Sequence, residues 1–177
     1  MKLSWSHAVL RVRDLDGMVQ FYCDTLEFVL ADRGRIGDPD TGPKIAFLSG
    51  SSSEHHQIAF VEARGTEEAS SLDHNAFRVE TLADVKAMIA RIAADDRVPD
   101  GAPITHGNAV SVYFKDPEGN GIEVFCDTPW HVKQPQVMGG DPSMSDDEVL
   151  AHIEATFRDS EEFSPRSGYT PTKANTS

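Results

Sequence analysis

The sequence has few cysteines, few basic residues and no long apolar run. Cys23 and Cys126 are its only cysteines, and they lack the CxxC spacing that indicates a zinc or redox site. One disulfide between them is the alternative, but two free thiols in a reducing cytoplasm are the better interpretation of this acidic chain. No apolar stretch is long enough to cross a bilayer. The first residues, MKLSWSHAVL, lack the apolar core of a signal peptide, so we expect a cytoplasmic protein.

Basic side chains are strongly outnumbered, since 16 Lys and Arg stand against 29 Asp and Glu and give a net charge of −13 at pH 7. Such a charge repels nucleic acids and anionic membranes, so we expect neither as a partner. The 177 residues are enough for one domain, and a domain of this size buries about 70% of its unfolded surface. The composition therefore indicates an acidic protein with one properly buried core.

An internal repeat is the main architectural signal. The segment HAVLRVRDL at 7–15 is matched by HNAFRVETL at 74–82, sixty-seven positions later, with His, Arg, Val and Leu at equal spacing. Each copy reads as a strand and a helix, followed by three further strands. We therefore predict an α+β fold in which two βαβββ modules, 1–66 and 70–128, pair their curved sheets around a shared cavity in a domain 1–130. The sequence leaves open whether the modules pair within one chain or across a dimer.

Hydrophobic periodicity places the individual elements of the two modules. Helices are expected after the N-cap residue Asp14 and after the capping box of Thr81 and Asp84. The predicted elements are a first helix at 15–26, strands at 7–13, 28–32, 44–48, 55–62, 103–106, 110–115 and 121–127, and a loop at 33–43.

The segment 131–177 differs in composition and is predicted to be a C-terminal arm. A capping box, SDDE at 145–148, opens a helix that runs to about residue 157. This helix has two alternatives, docking on the domain or on a second subunit. Residues 159–177 are polar and lack an apolar period, which indicates a mobile tail. We expect the segment around Trp130 to clamp the arm to the domain.

The stretch HGNAVSVYFKDPEGNGIE at 106–123 reads as a strand, a tight turn and a second strand. In the first strand apolar residues alternate with Ser111, Tyr113 and Lys115, which is the pattern of a half-buried strand. Asp-Pro ends this strand because proline offers no N–H to a ladder, and Gly-Asn-Gly lets the chain reverse. Glu123 then lies within an apolar strand. A carboxylate buried there is costly unless it is paired or bound to a metal, so Glu123 needs a partner.

Two histidines are the candidate partners of Glu123. His7 and His74 begin the first strands of the two modules, at positions that the repeat makes equivalent. Two imidazoles and one carboxylate from separate strands form a facial triad, which suits Fe(II) and, less specifically, Mn(II), and leaves three coordination positions open. The alternative for any one of these histidines is a hydrogen-bonded residue of a strand. Their equivalent positions favour the metal, so the shared cavity is predicted to be a metal cavity.

These features together resemble the vicinal oxygen chelate superfamily over most of residues 5–130. The resemblance rests on the paired modules, on the histidines that begin them and on the motif YFKDPEGNGIEVF. The run HQIAF at 56–60, followed by DHNAF at 73–77, further resembles the single-domain branch of the type I extradiol ring-cleaving dioxygenases.

The resemblance implies roles for three more residues. In that family the residue matching His56 is the acid/base beside the oxygen site. The residues matching His106 and Tyr113 contact the substrate hydroxyl and the oxygenated species. We therefore expect an Fe(II)-dependent extradiol dioxygenase of aromatic compound catabolism. It would act on a small aromatic diol of the catechol type with dioxygen, and we expect it to form a homo-oligomer.

Two other functions stay open. A metal-dependent isomerase or lyase of the glyoxalase type would need no oxygen and would tolerate Ni(II) or Zn(II). A non-catalytic small-molecule binding protein, of the kind found in antibiotic resistance, would manage without a metal and without His56. The set of His56, His106 and Tyr113 favours catalysis over binding alone. Three further histidines are expected to be structural or on the surface, namely His55, pointing away from His56, and His131 and His152.

Overall fold

The computed structural model describes residues 1, 3–68 and 71–168. The helices in these ranges are α1 (Leu15–Leu26), α2 (Leu82–Ala93), α3 (Asp146–Phe157) and a 3-10 helix at Arg166–Gly168. The strands are β1 (Ala8–Val12), β2 (Val29–Arg35), β3 (Lys44–Ser49), β4 (Ile58–Glu62), β5 (His74–Arg78), β6 (Ala102–Thr105), β7 (Ala109–Lys115), β8 (Gly121–Asp127), β9 (Trp130–His131), β10 (Met138–Gly139) and β11 (Ser164–Pro165). None of these described helices has the length and apolar character needed to span a membrane.

The chain divides into two compact units, each with the same βαβββ order. Unit 1 comprises Met1–Asp73 and Lys115–Asn120, and unit 2 comprises His74–Phe114 and Gly121–Ser177. In unit 1 the sheet order is β1-β4-β3-β2, and β1 runs parallel to β4. In unit 2 the sheet order is β10-β6-β7-β8-β5, and β5 runs parallel to β8. The prediction of a mixed α+β fold with a repeated βαβββ unit is thereby confirmed.

Helix α1 covers one face of the unit 1 sheet. Asp14 caps this helix by accepting the N–H of Gly17 at 3.0 Å, and the apolar stripe of the helix packs on the sheet. Tyr22 is fully buried and lies edge-on to Phe60, with ring centroids 4.8 Å apart. Side chains alternate along a strand, so Val9 of β1, which is 55% exposed, lies on the opposite face. That second face is not covered by α1.

The turn between β7 and β8, residues 115–120, belongs to unit 1 and is held by a buried carboxylate. Asp116 is 3% exposed and accepts the backbone N–H groups of Glu118 at 3.0 Å and Asn120 at 2.9 Å. Its other oxygen accepts the Asn120 side-chain amide at 2.8 Å and the Tyr22 hydroxyl at 3.5 Å. Burial raises the pKa of Asp116, although hydrogen bonds from Asn120 and Glu118 oppose the rise. The DPEGN motif therefore fixes the shape of this turn.

The helices of unit 2 begin at the predicted capping boxes, 81–84 for α2 and 145–148 for α3. The Lys86 ammonium group of α2 donates to the Met144 carbonyl and to the Asp146 carboxylate, both at 2.6 Å. The start of helix α3 is therefore held to α2 of its own chain, as in the first of the two predicted alternatives.

Two strand boundaries differ by three residues from the sequence-based prediction, and other boundaries, such as the start of β1 at Ala8 and not at His7, differ by one. β2 continues to Arg35, inside the predicted loop, where it pairs with Lys44 across the hairpin. β4 begins at Ile58 and not at residue 55, so His56 precedes the strand, and the prediction that it forms part of the strand is wrong. Hydroxyl-to-backbone hydrogen bonds in the preceding run of serines stabilise a turn there instead of a ladder.

The C-terminal arm contains more regular structure than its composition predicts. β11 pairs with β9, and the Trp130 ring stacks on Phe163 with centroids 6.2 Å apart, which joins the arm to the segment after β8 as predicted. His131 is only 9% exposed, and its Nε2 lies 3.2 Å from a Glu162 carboxylate oxygen. The prediction of a surface residue is therefore wrong for His131, because the β9–β11 pairing covers it. Residues 169–177, the remainder of the predicted mobile tail, lie outside the described residues.

Replacing Asp116 with alanine should lower the free energy of unfolding by at least about 2 kcal/mol, because several donors around this buried carboxylate lose their acceptor. Urea unfolding followed by circular dichroism measures the loss. The exposed Asp100 provides the control, and Asp100→Ala should stay within about 0.5 kcal/mol of wild type. An equally small change in Asp116→Ala would show that the turn does not depend on this carboxylate.

Candidate metal centre and active site

The polar face of the unit 2 sheet gathers most of the candidate residues. Apolar and polar side chains alternate along β7 and β8, so Ser111, Tyr113 and Glu123 share one face while their neighbours lie in the core. β5 runs parallel beside β8 with Ala76 opposite Glu123. His74 lies two positions before Ala76 and therefore projects from the same face. The strand register thus places an imidazole next to the buried carboxylate.

Glu123 is 8% exposed, and both of its carboxylate oxygens have partners. The Ser111 hydroxyl donates to Oε1 at 2.6 Å. His74 Nε2 lies 3.3 Å from Oε2, and His106 Nε2 lies 3.9 Å from Oε1. The partner that the sequence required for this carboxylate is therefore supplied by one hydroxyl and one imidazole in direct contact.

Ser111 is the site residue that sequence reasoning missed. Its side chain is fully buried and donates to Glu123, so it fixes the orientation of the carboxylate. The alternation that placed Tyr113 on the polar face also places Ser111 there, and the hairpin brings that face to Glu123. The signal was therefore present in the sequence, although a strand serine by itself does not indicate a role.

His106 and Tyr113 form a hydrogen-bonded pair beside the carboxylate. His106 Nε2 and the Tyr113 hydroxyl oxygen are 3.0 Å apart, and His106 Nδ1 lies 2.6 Å from the backbone carbonyl oxygen of Gln136. The His74 ring stands edge-on to Tyr113, with ring centroids 5.3 Å apart. The structure thus brings together four predicted site residues in unit 2, namely His74, His106, Tyr113 and Glu123.

The other two predicted residues, His7 and His56, lie together in unit 1. Their ring centroids are 4.5 Å apart, and Phe47 packs edge-on to His56 at 5.0 Å. His55 Nδ1 lies 2.9 Å from His56 Nδ1, so the prediction that His55 points away is wrong. Partial burial, and then the imidazoles of His7 and His55, lower the pKa of His56 below its usual 6.5. His56 is therefore neutral near pH 7 and able to accept a proton.

The pairing of His74 with Glu123 fits a shared divalent ion. Two ligands about 2.1 Å from one ion stand roughly 3 Å apart at neighbouring octahedral positions, and the observed N–O distance is 3.3 Å. Imidazole and carboxylate are also the ligand types of the 2-His-1-carboxylate set. Among the described residues, no group of three His, Cys, Asp or Glu side chains forms a ready-made metal site. His7 belongs to unit 1, and its role as the third ligand stays a prediction.

The two repeats differ at the position of the carboxylate. In unit 1 Val9 of β1 lies opposite Ala59 of β4, and in unit 2 Ala76 of β5 lies opposite Glu123 of β8. Val9 and Ala76 are equivalent in the sequence repeat, so Ala59 occupies the place of Glu123. At this position the last strand of unit 2 therefore has a carboxylate, and the last strand of unit 1 has a methyl group.

Residues 4–124 match the glyoxalase/bleomycin resistance protein/dioxygenase superfamily. Biphenyl-2,3-diol 1,2-dioxygenase 3 of Rhodococcus globerulus is 29% identical over 128 residues, which are 69% of this chain and 62% of that protein. Metapyrocatechase of Pseudomonas sp. (strain CF600) is 31% identical over 124 residues, 69% of this chain and 38% of that protein. The probable lactoylglutathione lyase of Synechocystis sp. is 32% identical over 123 residues, 67% of this chain and 91% of that protein. The chain thus spans less than two thirds of the length of these two dioxygenases.

Solved structures share the fold of this chain. The glyoxylase/bleomycin resistance protein/dioxygenase domain from Frankia sp. EAN1pec has a TM-score of 0.61 at 24% identity, covering 74% of this chain and 96% of that one. The fosfomycin resistance protein FosX from Listeria monocytogenes, complexed with Mn(II) and sulfate, has a TM-score of 0.55 at 24% identity, covering 72% of this chain and 95% of that one. At this identity the likeness establishes the fold alone.

Replacing Ser111 with alanine should weaken both the fold and metal binding, because Glu123 loses its hydroxyl donor. We expect the free energy of unfolding to fall by about 1–3 kcal/mol and the affinity for Fe(II) to fall about 10- to 100-fold. Urea unfolding of the metal-free protein and an anaerobic Fe(II) titration measure the two effects. Ser53→Ala, in an exposed turn, should change neither. Wild-type Fe(II) affinity in Ser111→Ala would contradict the orienting role of the serine.

Proposed function

Because the chain belongs to the glyoxalase/bleomycin resistance protein/dioxygenase superfamily, we propose that it is a metal-dependent extradiol dioxygenase, which opens a catechol-type ring next to its hydroxyl groups. The observation that carries the proposal is the buried Glu123 carboxylate, paired with an imidazole and flanked by the His106–Tyr113 pair. Titratable side chains clustered around a buried charge are typical of catalytic sites. A relative named as a diol dioxygenase, 29% identical, favours the same reaction.

We assign the metal to His74 and Glu123, with His7 as the third ligand that the repeat predicts. Two imidazoles and one carboxylate suit Fe(II), with Mn(II) as the alternative. When bound, the ion supplies Lewis acidity toward a substrate hydroxyl and open coordination positions for substrate and dioxygen. The Ser111 hydroxyl holds the carboxylate in one orientation, which keeps one oxygen directed at His74 and thus at the shared ligand position.

His56 is proposed as the acid/base of the reaction. Its lowered pKa keeps it neutral near pH 7, so it can accept the proton of a catechol hydroxyl and later return it. Because His55 engages Nδ1 at 2.9 Å, we assign this proton transfer to Nε2. Phe47 packs edge-on to the ring and excludes water from that side.

Tyr113 and His106 are proposed to bind a hydroxyl group of the substrate. Their hydrogen bond of 3.0 Å holds both side chains in place beside the carboxylate before any substrate arrives. Polar groups that are fixed where charge changes during a reaction need no reorganisation, which makes them effective in catalysis. We therefore assign the pair a role in orienting the substrate.

The alternative is a metal-dependent lyase or isomerase, because the alignment with the probable lactoylglutathione lyase covers 91% of that protein. A non-catalytic binding protein is the third candidate. We further propose a homo-oligomeric protein of aromatic catabolism with a catalytic domain at 1–130 and an arm at 131–177. The free thiols of Cys23 and Cys126 agree with a cytoplasmic location.

Loading the protein with Fe(II) without air, then adding a panel of catechols and oxygen, should give oxygen uptake and a yellow ring-opened product. Omitting either iron or oxygen should abolish turnover, because both take part in the proposed reaction. The Glu123→Gln variant should bind iron weakly and stay inactive, since it lacks the ligand charge.

The same preparations distinguish the alternatives. The lyase would be favoured, and the proposal overturned, by two results together. The protein would show lactoylglutathione lyase activity without oxygen when loaded with Ni(II) or Zn(II), and it would not turn over catechols. Catechol binding without turnover under either condition would indicate a binding protein.

The His56→Ala variant should retain its iron but lose turnover by about 10²- to 10⁴-fold in kcat, the usual contribution of a general acid/base. Anaerobic metal analysis and oxygen-uptake kinetics measure the two properties. His152→Ala, which alters an exposed histidine of α3, is the matched control and should behave as wild type. Unchanged turnover in His56→Ala would remove this residue from the mechanism, and loss of iron would identify it as a ligand.

A further inference from the structure

The arm segment, residues 132–136, lies outside the family match at 4–124 and contacts the active-site cluster. We infer that this segment fixes the tautomer of His106 and thereby directs the hydroxyl proton of Tyr113. Gln134 is the positioning residue that holds the segment in place. The catalytic consequence rests on the proposed function, whereas the tautomer itself does not.

The tautomer of His106 follows from the chemistry of its two contacts. A backbone carbonyl oxygen only accepts hydrogen bonds, so Nδ1, which lies 2.6 Å from the Gln136 carbonyl, carries the hydrogen. In a neutral imidazole the other nitrogen then has a lone pair. The Tyr113 hydroxyl, 3.0 Å from Nε2, is therefore the donor in the second contact. The hydrogen bonds run in one direction, from Tyr113 through His106 to Gln136.

This direction decides what Tyr113 offers to a ligand. With its O–H turned toward His106, the phenol oxygen can act toward a ligand only as a hydrogen-bond acceptor. It accepts a hydrogen bond from a ligand hydroxyl and repels a carbonyl or carboxylate oxygen. The opposite tautomer of His106 would carry the hydrogen on Nε2 and release the Tyr113 O–H to donate. The arm segment therefore selects a ligand with a hydrogen-bond donor, such as a protonated phenol hydroxyl, beside Tyr113.

The Gln134 side chain bridges the backbone of His106 and the backbone of Gln136. Its Oε1 accepts the Gln136 N–H at 3.0 Å, and its Nε2 donates to the His106 carbonyl at 2.8 Å. The same amide nitrogen lies 3.2 Å from the Val132 carbonyl and 3.3 Å from Asn108 Oδ1. The Gln134 side chain is exposed, so its removal loosens the arm segment without opening the core.

The residue after His106 is a glycine, and its lack of a side chain leaves room for the arm segment. Gly107 has a φ of 80°, and a Cβ there would lie 2.5 Å from the Val132 side chain and 3.2 Å from Phe157. The Thr128 hydroxyl donates to the Gly107 carbonyl at 2.6 Å. Because only glycine permits this close approach, the arm segment has a defined position next to His106.

The Gln134→Ala variant tests the inference, with Gln136→Ala as the matched control, because the control keeps the backbone carbonyl that His106 contacts. Imidazole ¹⁵N chemical shifts of the full chain distinguish a protonated from an unprotonated ring nitrogen. They are measured at about pH 8, where an ordinary imidazole is neutral, in metal-free protein and with Zn(II) as a diamagnetic ion. Wild type and Gln136→Ala should carry the hydrogen on Nδ1 of His106, and Gln134→Ala should show both tautomers.

A hydrogen on Nε2 in wild type, or an unchanged Nδ1 tautomer in Gln134→Ala, would overturn the inference. As a second readout, kcat of Fe(II)-loaded Gln134→Ala with catechol should fall about three- to tenfold, the equivalent of one hydrogen bond. Its iron content should not change, and Gln136→Ala should match wild type. A merely structural role would lower stability without shifting the tautomer. If wild type does not turn over catechols, the proposed function fails, while the ¹⁵N shifts still decide the inference.

Discussion

The burial of one carboxylate determines how the polar face of the unit 2 sheet is built. Glu123 is 8% exposed in the middle of β8, and a buried ion costs several kcal/mol unless its surroundings replace water. Ser111 on β7 and His74 on β5, the two neighbouring strands, supply these surroundings. The same burial suits the carboxylate to hold a cation, because a fixed charge shielded from water attracts an opposite charge strongly. Stability and site chemistry thus depend on one interaction.

Most of the fold could be predicted because it follows from local patterns. α1 begins and ends at the predicted Leu15 and Leu26, since Asp14 caps its first turn and an apolar stripe defines its length. The order of strands follows from the repeat, because in each copy the first strand pairs in parallel with the last, β1 with β4 and β5 with β8. The missed features depend on partners far away in the sequence. β11 pairs with β9, more than thirty residues earlier, and His131 is buried by that pairing.

The sequence predicts one of the contacts among the candidate residues of unit 2, but not the others. Proximity of His74 to Glu123 follows from the parallel pairing that a βαβββ repeat implies. The partner of His106 could not be identified, because it is a backbone carbonyl and every residue has one. The turn that precedes His56, between β3 and β4, depends on hydrogen bonds of serine hydroxyls with the nearby backbone, which the strand period does not predict. The strand period alone therefore placed the start of β4 three residues too early, at residue 55 and not at Ile58.

The segment 115–120 lies in the second repeat of the sequence but packs with unit 1. This turn connects the last two strands of the second repeat, yet its side chains contact residues of unit 1. Asp116 accepts the Tyr22 hydroxyl, and the Glu118 carboxylate pairs with Arg64. A polypeptide that ended at residue 73 would leave these groups without their acceptors. The first repeat by itself is therefore not the whole of unit 1, because part of the unit's buried polar network comes from the second repeat.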